Sequence, residues 1–263
     1  MDETFDTVEV TFNEETGIGH LTLNRPDALN ALSGQLQEDI VEGLRVLKAE
    51  NEKRGEIALR AVVIEGAGGN FCAGADISEF SESSPGDSSE RAHYNFIMDF
   101  PAPVIAKITG YCLGGGLETA MSCDFRFAAE DAKLGLPEVD LGIIPGAGGV
   151  QFISELANPA AAKEIAMTGD HISAARAEEL GIVNRVPDDI DAETQEFAEK
   201  IASKPPLAIQ AIKESASVAT QTGLREGRQY DRRLFEPLLE TEDHKEGAKA
   251  FAEDDYEPEF TGR

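Results

Sequence analysis

Apolar and polar residues alternate at the start of the chain. Val8 and Val10, then Leu21 and Leu23, put apolar side chains on one face of two short segments, residues 7–12 and Ile18–Leu23, joined through Glu14-Glu15-Thr16-Gly17. Period-two alternation on both sides of a turn predicts a β-hairpin. The period then changes. From Ser33, a residue able to cap a helix, Leu36, Ile40, Val41, Leu44 and Leu47 recur at helical spacing until about Glu52. Residues 61–64 and Val104–Ile108 are continuous apolar runs bounded by Gly66 and Gly110, which predicts strands buried on both faces. Phe125–Ala128 predicts a further strand. The stretch 81–90 holds Pro and Gly but no apolar residue, the composition of a mobile surface loop. From Gly146 onward the pattern is mostly helical, ending in Ala- and Leu-rich amphipathic segments over residues 206–251. The expectation is an α/β domain over residues 1–203 and a helical appendage over 204–263.

Charge narrows the function classes. The 263 residues carry 50 Asp and Glu against 23 Lys and Arg, a formal net charge of −27. Such a surface repels phosphate backbones and anionic lipid, so no nucleic-acid and no membrane partner is expected. At 41% hydrophobic the chain is too apolar for a disordered acidic segment. In molar salt the Debye length falls to about 3 Å and the self-repulsion is screened. A high-salt cytoplasm is therefore expected, the alternative being an acidic protein of an ordinary cell. Neither a signal peptide nor a membrane span is expected, because no apolar stretch follows the acidic first residues and no run of apolar residues is long enough to cross. Cys72, Cys112 and Cys123 have neither paired nor zinc-type spacing and read as reduced core thiols, again in a cytoplasm. His20, His93, His171 and His244 are scattered, so no metal is expected.

The candidate chemistry lies in two glycine-rich segments. Phe71-Cys72-Ala73-Gly74-Ala75-Asp76-Ile77 and Gly110-Tyr111-Cys112-Leu113-Gly114-Gly115-Gly116-Leu117-Glu118 each follow a predicted buried strand. Small residues let backbone approach a ligand, and a helix opened by the triple glycine aims free N–H groups at it. Two such loops could supply two donors to one oxygen, an oxyanion hole, although the same glycines also suit tight strand–helix packing. Glu118 lies one turn inside that helix, and Glu138 follows twenty residues later in Leu136-Pro137-Glu138. Taken singly, each fits a solvated face or a salt bridge. Facing one apolar pocket, the two would have their pKa values pushed apart, so that one gives a proton while the other takes one. That is the equipment for adding water across a polarised double bond.

These segments resemble the crotonase, or enoyl-CoA hydratase/isomerase, superfamily. The resemblance also rests on Asn24-Arg25-Pro26, on Ala28-Leu29-Asn30-Ala31-Leu32, on Cys123-Asp124, and on Leu141-Gly142-Ile143-Ile144-Pro145-Gly146-Ala147-Gly148-Gly149, in order along nearly the whole chain. It implies a spiral of β-β-α units, a C-terminal helical trimerisation region, and a homotrimer or a homohexamer built from two trimers. The N–H groups of Ala75 and Gly115 resemble the two oxyanion donors for a thioester carbonyl. Glu118 and Glu138 resemble the hydratase pair that holds one water, Glu138 as main acid/base and Glu118 orienting. The resemblance places the CoA of an acyl-CoA substrate along Ala28, Ala73, Asp76 and Ile77, with Gly146 at the acyl pocket and no separate cofactor. Hydration of a trans-2-enoyl-CoA is the leading implication. Double-bond isomerisation or another acyl-CoA enolate reaction is the alternative, and a non-catalytic RNA-binding or scaffold protein is the reading from a different class.

Two lysines that family hydratases often direct at the CoA phosphates are Asp27 and Ser78 here, leaving Arg25, or Lys245 and Lys249 of a neighbouring subunit, as replacements. Those two lysines equally suit a solvated face shared with Glu242 and Glu246. The basic run Arg225, Arg228, Arg232 and Arg233 is expected to pair with Glu226, Asp231 and Glu236. Tyr94, Phe96 and Met98 read either as acyl-pocket wall or as an ordinary amphipathic helix.

Overall fold

A computed structural model describes residues 1–54, 56–79, 92–253 and 255–263, without the side chain of residue 92. The predicted loop at 81–90 lies outside the described residues. The predicted hairpin forms from β2 (Val8–Asn13) and β3 (Ile18–Leu23), antiparallel with Val10 opposite Leu21. Val8, Val10 and Phe12 point inward while Glu9, Thr11 and Asn13 face solvent, as the alternation requires. A short β1 (Asp2–Thr4), which the pattern did not reveal, pairs with the outer side of β2.

Helix α1 (Gly34–Arg54) follows, and the Ser33 hydroxyl accepts the Leu36 N–H at 3.1 Å as the predicted cap. The strands β4 (Ala61–Gly66), β5 (Val104–Ile108) and β7 (Phe125–Ala128) then add parallel to β3. The six-stranded sheet runs β1-β2-β3-β4-β5-β7. Its apolar runs are continuous because both faces are covered. Val62, Ile64, Val104 and Ala106 join the main core with Leu36, Ile40 and Leu44 of α1, while Ala61, Val63 and Ile105 pack on the opposite face against Ala198 and Phe197 of α7 (Ile190–Ala202).

A second sheet, β6 (Tyr111–Leu113), β8 (Lys133–Gly135) and β9 (Ile172–Ser173), escaped the pattern because its strands are two or three residues long. It gives the glycine-rich segments a frame. The remaining helices are α2 (Ala92–Met98), α3 (Gly115–Ser122), α4 (Gly149–Leu156), α5 (Pro159–Thr168), α6 (Ala174–Glu179), α8 (Pro206–Ala219), α9 (Leu224–Leu238) and α10 (Glu242–Ala252).

The chain end returns to the core. Thr261 and Gly262 donate backbone N–H to the buried Asp243 carboxylate, and the Thr261 carbonyl accepts the Ile57 N–H. Lys213 of α8 reaches the Asp124 carboxylate at 2.7 Å, tying α8 to the end of the strand layer. The three cysteines are free and buried, as expected, and burial pushes the thiols of Cys72 and Cys123 up to about 12. Among the described residues no helix is long and apolar enough to cross a membrane, and no cluster of metal-ligating side chains occurs.

Candidate active site

The first glycine-rich segment is threaded between two neighbours. On one side Phe71 and Cys72 donate N–H to the carbonyls of Thr109 and Tyr111, and Leu113 donates back to Cys72. On the other, Ala73 donates to Leu29, Leu32 to Gly74, and Asp76 to Leu32. This ladder decides where Ala75 points. A parallel bridge between Leu32 and Ala75 uses the groups of the residues flanking Ala75, so the Ala75 N–H faces away from it.

The second segment turns sharply at Gly114, whose φ of 50° and ψ of −126° suit only glycine. Gly116 approaches Cys72 so closely that an added Cβ would stand 2.3 Å from its carbonyl oxygen. Gly115 is the first residue of α3, a position whose N–H has no partner within the helix. A Cβ built on Gly115 would lie 3.8 Å from the Ala75 nitrogen, so the two N–H groups are neighbours.

Ala75 and Gly115 both line a cavity of about 250 Å³. Glu118 and Glu138 line it too, with Ala73, Ile77, Gly146 and Tyr94. Glu118 is only 3% exposed. Its Oε1 accepts N–H groups from Ala147 at 2.7 Å and Gly149 at 2.8 Å, so the carboxyl caps the first turn of α4 as well as facing the cavity. That anchor was not legible beforehand, although Gly148-Gly149 were part of the motif.

Glu138 is held differently. It follows Pro137 in the 3₁₀ turn Pro137–Leu141, and its Oε1 lies 3.0 Å from where a Cβ on Gly114 would be. Its Oε2 is buried and has no hydrogen-bond partner among the described residues. Burial raises the pKa of this carboxyl, and the nearby Glu118 charge adds to the rise. Such a carboxyl holds its proton more tightly than a free glutamate does. The arrangement can hold a developing oxyanion against two N–H groups while two carboxyls handle a proton beside it.

Seven of the nine residues singled out from sequence line this cavity, and two do not. Ala28 is half-buried in the turn Pro26–Ala28 outside it. The Asp76 side chain is instead taken by the Ser78 hydroxyl at 2.6 Å and by Arg25 at 3.0 Å, which together hold its pKa below the ordinary carboxylate range. Arg25, offered above as a replacement phosphate contact, is thus already paired. Lys249 stacks on Tyr256, its Nζ 3.6 Å from the ring centre. Tyr94 lines the cavity, whereas Phe96 packs beneath Arg45 and Met98 lines a different hollow. Of the basic run, Arg232 pairs with Glu236 at 2.9 Å, while Asp231 accepts from Ser215. Pattern reasoning missed the apolar wall of Leu32, Leu141, Ile143 and Ile144. Leu32 also belongs to the core, but Leu141, Ile143 and Ile144 form an exposed apolar run that no core needs.

The chain matches the enoyl-CoA hydratase/isomerase family over residues 13–263. It is 39% identical to the enoyl-CoA isomerase/hydratase fer4 of Mycosarcoma maydis, covering 95% of this chain and 94% of that one. It is 37% identical to the probable enoyl-CoA hydratase echA8 of Mycobacterium bovis, covering 99% and 100%. Among solved structures, the enoyl-CoA hydratase of Bacillus anthracis superposes with a TM-score of 0.88 at 37% identity, covering 98% of this chain and 100% of that one.

Proposed function

The chain belongs to the enoyl-CoA hydratase/isomerase family, and from that premise we propose that it adds water reversibly to a trans-2-enoyl-CoA, giving a 3-hydroxyacyl-CoA. The observation that carries this reading is the buried Oε2 of Glu138, without a hydrogen-bond partner among the described residues, in one cavity with Glu118, Ala75 and Gly115. The thioester oxygen accepts from both N–H groups, which draws electrons from the C2–C3 double bond. Each such donor contributes about 3–4 kcal/mol to the barrier when removed from a comparable site. A water held by the two glutamates gives its oxygen to C3 and one proton to the pair. The pair returns one proton to C2, with Glu138 as main acid, so atoms and charge balance. Glu118, fixed by two N–H groups, orients the water. CoA lies outside the glutamate pair, along Ala28, Ala73, Asp76 and Ile77, with Gly146 beside the acyl group.

The test is the hydration of crotonyl-CoA, followed as loss of the conjugated thioester absorbance. A 3-enoyl-CoA run beside it addresses the second reading, isomerisation, which the double name of the Mycosarcoma maydis relative supports. Conversion of the 3-enoyl substrate without hydration of the 2-enoyl one would overturn the assignment.

Residues 204–263 act as the oligomerisation region of a homotrimer or homohexamer. Helix α9 has no fully buried residue, packs Tyr230, Leu234 and Leu238 half-buried, and exposes Leu224 at 83% together with Phe235, while α8 exposes Ile212. The charge of −27 supports a cytoplasmic enzyme adapted to high salt, whose rate rises between about 0.1 and 2 M KCl as surface repulsion is screened.

A further inference from the structure

Three consecutive glycines, Gly114, Gly115 and Gly116, open α3, and no stretch of backbone is intrinsically looser. An oxyanion donor must nevertheless point within a fraction of an ångström of its target. The Gly115 carbonyl is the place where this segment is gripped. It accepts the Thr119 hydroxyl at 2.8 Å and the Tyr94 hydroxyl at 3.4 Å. Behind Thr119 stands His93 of α2, fully buried, with Nε2 at 3.2 Å from the Thr119 Oγ1 and its ring tilted by 38° against that of Tyr94, 3.8 Å between centroids.

The direction of this chain follows from counting protons. The Thr119 hydroxyl has one proton, and the Gly115 carbonyl takes it, so the oxygen can only accept from His93. The ring therefore carries its proton on Nε2. Its Nδ1, buried without a partner among the described residues, is then a bare acceptor. The opposite tautomer would bury an unpaired N–H instead, the costlier defect. Burial draws the pKa of the ring down to about 3, so it stays neutral and the relay keeps one direction.

Resting on the hydratase reading above, we propose that His93 is a positioning residue for the oxyanion hole: its Nε2–H orients the Thr119 hydroxyl onto the Gly115 carbonyl and thereby holds the Gly115 N–H on the thioester oxygen. His93 does not line the cavity, so it acts only through Thr119 and Tyr94. Hydrogen bonds in such a chain polarise one another, so loss of the first link loosens the last.

The experiment uses His93→Phe, which keeps a ring against Tyr94 but removes Nε2–H, His93→Gln, whose amide can restore a donor near that point, Thr119→Val, and the double variant carrying His93→Phe with Thr119→Val. The readouts are kcat and KM for crotonyl-CoA, and the red shift of a para-dimethylaminocinnamoyl thioester of CoA on binding, which reports carbonyl polarisation. His93→Phe and Thr119→Val are each expected to lower kcat about ten- to fifty-fold, less than outright loss of an oxyanion donor, with KM within about twofold and a smaller red shift. His93→Gln is expected to regain most of the rate, and the double variant to be no worse than either single one. Wild-type kcat and red shift in folded Thr119→Val, or multiplying losses in the double variant, would overturn the proposal. Absence of hydration by the wild-type enzyme would instead sink the hydratase reading.

Discussion

Glu118 stands on the helical wall of the cavity and Glu138 on the looped wall, and the two carboxyls are held in opposite ways. On the helical wall the carboxyl is almost fully buried, receives two backbone N–H groups, and ties α3 to the start of α4. On the looped wall it is half-buried, keeps one oxygen without a partner among the described residues, and sits among the exposed Leu141, Ile143 and Ile144. The same residue type therefore does different work. One glutamate supports the fold through two hydrogen bonds, whereas the other is buried at a cost to the fold, as the proposed acid role requires.

The largest effect expected from this difference is on rate. Glu138→Gln should lower crotonyl-CoA hydration by about a thousandfold or more, the upper part of the range for a lost general acid, while the urea midpoint stays unchanged or rises. Near-normal kcat in that variant would remove Glu138 from its role. Glu118→Gln keeps an acceptor for the Ala147 and Gly149 N–H groups, so its loss, about a hundredfold or more, should come with a folded protein. Glu118→Ala should in addition lower stability by about 2–3 kcal/mol, since two buried donors lose a charged acceptor. Equal urea midpoints for Glu118→Ala and Glu138→Ala would break the comparison.

A smaller effect lies in pH. The folded protein binds the Glu138 proton more tightly than the unfolded chain does, because burial raises its pKa. The contribution to stability is thus complete below the ordinary carboxylate pKa and is lost as pH rises through the raised value. Wild-type urea midpoints measured upward from pH 4 should fall relative to Glu138→Gln over that window, and parallel curves would contradict the raised pKa. The smallest effect concerns the looped wall itself. Ile144 is 78% exposed, so Ile144→Ser should leave stability unchanged and raise KM for a longer enoyl-CoA several-fold by removing apolar contact. Unaltered KM would take Ile144 out of the acyl wall.

Much of the fold was legible because it rests on short-range rules. The hairpin followed from alternation, α1 from its Ser33 cap and its stripe, and β4 and β5 from apolar runs that only a doubly covered sheet explains. Strands of two or three residues, such as β6 and β9, carry too few positions for any period and were invisible. Four residues picked out by their motifs, Ala75, Gly115, Glu118 and Glu138, line one cavity. Asp76 shows the limit of that reading, because its partner Arg25 lies 51 positions earlier and only folding brings the two together.

By itself the sequence determined where helices and strands form, which loops are rich enough in glycine to bring backbone to a ligand, and which carboxylates stand near them. These are properties of neighbours along the chain, set by side-chain period and backbone freedom. Only the tertiary structure decided that two N–H groups anchor the Glu118 carboxyl while the Glu138 Oε2 has no partner among the described residues, and that a buried histidine stands against the Thr119 hydroxyl bonded to the Gly115 carbonyl. Burial and hydrogen-bond partners come from residues distant in sequence, and they set both the pKa of a carboxyl and the aim of an N–H group.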